Sequence, residues 1–151
     1  MTRFISACGL ILLIACGTSR DTPPAGEAAD DPAEAGGTSA LAGTWNMRVM
    51  PEDRDTTVLT FTLTTTGGSD GWTLSFPDRP PMPVTVVSRD DDGATIEAGP
   101  YESPIRKGVQ VRIRSEMQLE DGKLAGETTA HYDVTTADSV VRLRVEGTRA
   151  P

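Results

Sequence analysis

Val109-Gln110-Val111-Arg112-Ile113-Arg114-Ser115-Glu116-Met117-Gln118-Leu119 is the stretch whose reading decides the fold. Apolar side chains at Val109, Val111, Ile113, Met117 and Leu119 alternate with polar ones at Gln110, Arg112, Arg114, Glu116 and Gln118. A period of two belongs to an extended chain with one buried face. Asp121-Gly122 comes next, a pair suited to a two-residue reversal, and Leu124 to Val134 then alternate again with Tyr132 on the apolar side. The two runs form a hairpin in which Glu120 faces Lys123, Glu116 faces Glu127 and Arg112 faces His131.

Working outward, the same alternation recurs at Trp45, Met47 and Val49, at Leu59, Phe61 and Leu63, and at Trp72, Leu74 and Phe76. It continues at Val84 and Val86, at Ala94, Ile96 and Ala98, and finally at Val141, Leu143 and Val145. Eight strands are therefore expected, and no segment carries a helical apolar stripe. Gly67-Gly68-Ser69-Asp70-Gly71, Asp92-Gly93 and Asp121-Gly122 supply tight turns, so consecutive strands pair as an antiparallel meander. One apolar and one polar face per strand is satisfied either by closing the sheet into a barrel or by folding it into two layers, and the barrel is favoured. Two proline clusters, Pro77 to Pro83 and Pro100 to Pro104, are expected to interrupt the meander at barrel ends or at an edge.

Residues 41–151 form this single domain; what precedes it has a different composition. Arg3 heads an apolar run from Phe4 to Ile14, about half the ~20 apolar residues that a membrane-spanning helix needs, which marks an export signal rather than a span. Leu13-Ile14-Ala15-Cys16 resembles the lipobox of bacterial lipoproteins. That resemblance implies a signal peptide over residues 1–15 and a diacylglyceryl group on Cys16. It further implies an acylated (palmitate-type) amino terminus and a bacterial cell-envelope location; multiple acyl chains make the anchoring stable. Gly17 stands where an aspartate would retain such a protein in the inner membrane, which favours the outer membrane. Residues 16–40 are rich in Ala, Gly, Pro and acidic residues, with no large apolar side chain to offset the entropy of ordering. They form a disordered tether with a reach of roughly 25 to 30 Å. Cys8 leaves with the signal and Cys16 carries lipid, so the fold cannot rest on a disulfide.

At the domain's start, Gly43-Thr44-Trp45 resembles the Gly-x-Trp signature of lipocalins. The longer Leu41-Ala42-Gly43-Thr44-Trp45 is also similar to the opening of avidin-like barrels and of small periplasmic metalloprotease inhibitors. The lipocalin resemblance implies an eight-stranded lipocalin-like barrel. Trp45 would pack at its closed end against a basic side chain from the last strand, here Arg149.

Twenty-two acidic against fourteen basic residues leave a net charge of −8, which disfavours nucleic acid as a partner because phosphates would be approached against the protein's own field. His131 is the sole histidine and falls on a polar strand face, so neither a clustered zinc site nor a Ser-His-Asp arrangement is expected. Asp90-Asp91-Asp92-Gly93 lacks the ligand spacing of an EF-hand loop and reads as a solvated turn, as do Glu52, Asp53 and Asp55 around Arg54. No metal, cofactor or enzymatic activity is expected. Two readings stand side by side. A tethered barrel could bind a small apolar or amphipathic ligand near Trp45, Phe61, Trp72 and Tyr132. An interaction module, an envelope-assembly partner or protease inhibitor, would instead have a filled barrel. If the loop after Val134 centres on Ala137-Asp138, His131 also faces Arg144 and Asp133 faces Arg142. Arg112, Arg114, His131 and Arg144 would then form an anion- or partner-binding patch.

Overall fold

Nine strands, all antiparallel, wrap into a nearly closed barrel in the computed structural model, which describes residues 39–151. The expected signal segment, Cys16 and the expected tether as far as residue 38 lie outside the described residues. The strands are β1 (Gly43–Pro51), β2 (Leu59–Thr65), β3 (Thr73–Ser75), β4 (Met82–Pro83), β5 (Thr85–Arg89), β6 (Gly93–Glu102), β7 (Gln110–Glu120), β8 (Lys123–Tyr132) and β9 (Val140–Arg149). They pair in the order β4-β3-β2-β1-β9-β8-β7-β6-β5. Both sheet edges, β4 and β5, are thus neighbours in the chain, joined through Val84 alone. That residue is buried, and its N–H donates to the Trp72 carbonyl at 3.1 Å.

The count is nine rather than eight because the first proline cluster contains a strand. Leu74 pairs with Met82 and Thr73 with Pro83, a two-residue edge where a proline without an N–H is tolerated. The second cluster corrects the expectation in the same direction. β6 runs through Pro100 to Glu102, with a register shift between Ala98 and Tyr101 that sets two residues, Gly99 and Pro100, against Arg112. Gly99 has φ +111°, and a Cβ there would meet the Val111 carbonyl oxygen at 2.6 Å, so the bulge requires glycine.

At the β7–β8 hairpin the turn residues Asp121 and Gly122 have φ 48° and 76°, the type I′ pattern whose twist matches the strands. Glu120 pairs with Lys123, Glu116 with Glu127 and Arg112 with His131. The β8–β9 register differs from expectation: His131 lies opposite Val140, Thr129 opposite Arg142 and Glu127 opposite Arg144. A longer connection holding the 3-10 turn Ala137–Ser139 replaces the compact loop, so β9 joins four residues out of the expected alignment. An even shift keeps each side chain on its face, and Leu143 and Val145 remain buried.

Inside, Met47, Val49, Leu63, Leu74, Ile96, Val111, Met117, Leu124 and Val145 form one continuous core. Ser115 interrupts the apolar alternation of β7 yet is buried, and its hydroxyl meets that of Thr128 across the ladder at 2.7 Å. One hydroxyl donates and the other accepts, which offsets part of the cost of burying the pair.

Candidate functional site

The four aromatic residues considered for ligand binding are divided between opposite ends of the barrel. Trp45 and Trp72 are fully buried at the end where β1 begins. Trp45 Nε1 donates to the Leu41 carbonyl at 2.9 Å, and Trp72 Nε1 to the Gly68 carbonyl at 2.9 Å. The Thr65 hydroxyl donates to the Leu41 and Gly43 carbonyls. Arg149, the register partner of Trp45, lays its guanidinium carbon 4.4 Å from the indole centroid. Its Nη1 and Nη2 donate to the Ala42 and Ala40 carbonyls at 2.6 and 2.7 Å. Gly43 has φ +141°, and a Cβ there would collide with Arg149 Nη1, so glycine is needed for the arginine to reach across.

Phe61 and Tyr132 stand at the other end, around an apolar cavity of about 40 Å³. Phe61 meets Phe76 edge-on at 6.0 Å, and Phe76 meets Tyr101 at 5.8 Å. Ser103, Pro104 and Ile105 cover this cavity. Ser103 is buried, and its Oγ accepts from the Ile105 and Arg106 N–H groups at 3.2 and 3.0 Å, which curls the segment into a turn. Arg106 then reaches back over the Tyr132 ring, 4.1 Å from its centroid, and pairs with Asp138 at 2.8 Å. The Thr136 hydroxyl, with help from Arg106, holds the Asp138 carboxyl below the usual carboxylate range. Burial, reinforced by the neighbouring Tyr132 and opposed by Arg79, pushes the Tyr101 phenol up to about 12. Tyr101, Ser103 and Arg106 were not singled out from the sequence. Ser103-Pro104 carried a turn signal, but the anchor at Asp138 is 32 residues away and no local pattern shows it.

On the outer wall the structure brings together part of the cationic set. Arg112, Arg114 and His131 line one cleft of about 670 Å³, with Pro83, Thr85 and Gly99 across from them. Arg114 is bound to Glu97 at 2.7 Å and reaches Glu116 at 3.5 Å. Arg144 is not beside His131: the corrected register sets it opposite Glu127, and it pairs with Asp55. Arg142 takes the nearer place instead, two pairs along from His131 on the neighbouring strand and on the same face. Among the described residues no cluster of three or more His, Cys, Asp or Glu side chains is disposed to hold a metal ion. None of the described helices is long and apolar enough to cross a membrane. Comparison with protein-family models, with curated proteins and with solved structures found no match to this chain.

Proposed function

We propose that this chain is a lipid-anchored, non-enzymatic module of the bacterial cell envelope, held at the outer membrane through Cys16, that binds an envelope protein by its surface. The observation that carries this reading is the filled interior. A cavity of about 40 Å³ holds only a few water-sized groups, whereas pockets for small organic molecules run to about 300–1,000 Å³. Two of the four aromatics that would have lined a ligand chamber, Trp45 and Trp72, are instead packed solid with their N–H groups satisfied. The chain also enters the barrel at that plugged end, which leaves the outer wall and the Ser103–Val109 loop for a partner.

A second reading keeps the lipocalin-like barrel and a small apolar or amphipathic ligand. Its support is the stacking of Arg149 on Trp45, together with the apolar walls beneath a loop fastened mainly by Arg106. Native mass spectrometry of the protein purified from its own host separates the two. The surface-binding reading expects the mass of the protein and its lipid alone. A stoichiometric small molecule retained in addition would overturn it in favour of the second.

A further inference from the structure

The outer-wall cleft combines an open volume with a cationic side chain, Arg112, that has no ion-pair partner among the described residues. Its floor exists because β6 contributes no side chain at Gly99, where two residues of the bulge face Arg112. Arg112 and His131 are cross-strand partners on the adjoining wall, both exposed. The other arginine of the cleft, Arg114, is committed to Glu97 and Glu116. The side chains of Arg112 and Arg142 make no ion pair among the described residues. The one carboxylate on the cleft wall, Glu97, is offset by Arg114. On the same outer face Asp133 follows His131 by two residues, so the positive charge of this region is concentrated at the unpaired Arg112 rather than spread over the whole face.

From this geometry we propose that the cleft is a binding site for a small oxyanion, a phosphate or carboxylate group, with Arg112 as its principal ligand. The planar guanidinium offers two parallel donors to two anion oxygens, a match that a lysine would not make. The His131 ring stands beside it, the Thr85 hydroxyl lies across the cleft, and Arg142 adds charge from the next strand but one. This site is on the outside of the barrel, so it does not depend on whether the interior is filled.

His131 is the only histidine, so its ring signals in an NMR spectrum report on the cleft without ambiguity. The full chain is titrated at constant pH with inorganic phosphate, against chloride at matched ionic strength, and separately with acetate. Saturable displacement of the ring signals by phosphate or acetate, absent in chloride, is expected. Arg112→Ala should weaken it by about tenfold or more, the size of one charge-assisted contact, while Arg48→Ala on β1 should leave it unchanged. Saturation by acetate as well as phosphate would place carboxylates among the ligands, and saturation by phosphate alone would restrict the site to phosphate groups. Equal displacement in chloride, or an Arg112→Ala variant that binds like wild type, would overturn the proposal.

Discussion

At the Trp45 end, the indole N–H, the Thr65 hydroxyl and the Arg149 guanidinium all close on backbone carbonyls of Ala40 to Gly43. At the Tyr132 end, the cover is a loop with its own hydrogen-bonded turn at Ser103, held to the barrel by Arg79 on the Glu102 carbonyl and by Arg106, which stacks on a ring and pairs with a largely exposed carboxylate. The first arrangement places polar groups on fixed backbone acceptors inside a packed plug; the second adds to a local turn an ion pair that water can replace. A surface pair of that kind contributes only about 0–1 kcal/mol, and a cation over an aromatic face adds about 0.5–1 kcal/mol. The contrast teaches that stability and adaptability are placed at opposite ends of one barrel.

The largest expected effect comes from breaking the plug. Trp45→Ala should lower the unfolding free energy by about 3–5 kcal/mol, read in a denaturant melt, because a fully buried aromatic leaves a cavity in the core beside Leu41 and Leu63. A loss below about 1 kcal/mol would show that this end is not the sealed one. Next in size is an alkaline test of the other end. The Tyr101 phenol titrates in the folded protein at about 12 against an ordinary 10, so folding favours its protonated form. Its contribution is intact below about pH 10 and is lost as pH rises toward about 12, on the order of 2 kcal/mol across that interval. Tyr101→Phe should flatten that part of the stability curve; an unchanged slope would mean that the phenol is not buried beside Tyr132. The smallest effect sharpens the comparison most. Arg106→Ala should change global stability by no more than about 1 kcal/mol, yet hydrogen exchange should quicken in residues 103–109 and not around Trp45. Uniform quickening would merge the two ends into one cooperative unit.

Much of this was legible in the sequence wherever a strand had one wet and one dry face. The β7–β8 hairpin could be read to the residue because Asp121-Gly122 admits few turn geometries, and once the turn is set every cross-strand pair follows. The β8–β9 pairing could not. Nothing between Asp133 and Ser139 dictates that the chain makes a 3-10 turn there, and the loop's length sets the register. The apolar pattern survives any even shift, so the buried residues of β9 came out on the right face while Arg142 and Arg144 moved four positions along β8, to Thr129 and Glu127. β4 was invisible for a different reason: two residues, one of them proline, carry no periodicity. The loop cover was hidden because its fastening joins Arg106 to Asp138 and Tyr132 through space, and the 40 Å³ interior is a property of how side chains fill a closed sheet, not of which side chains are apolar.

The joint at Val84 also bears on how the barrel assembles. Every ladder but one links strands that follow each other along the chain; the exception is β1 with β9, which brings Ala42 to Arg149 across 107 positions. Two runs, β1 to β4 and β5 to β9, can therefore zip up locally, each with little loop-closure entropy to overcome, and meet along a single long-range pairing. Val84 is where one run hands over to the other, with no strand pairing between β4 and β5. Reopening the polypeptide there, with the two existing ends of the domain linked, would turn the slowest contact to find into a hairpin and leave every ladder of the barrel intact.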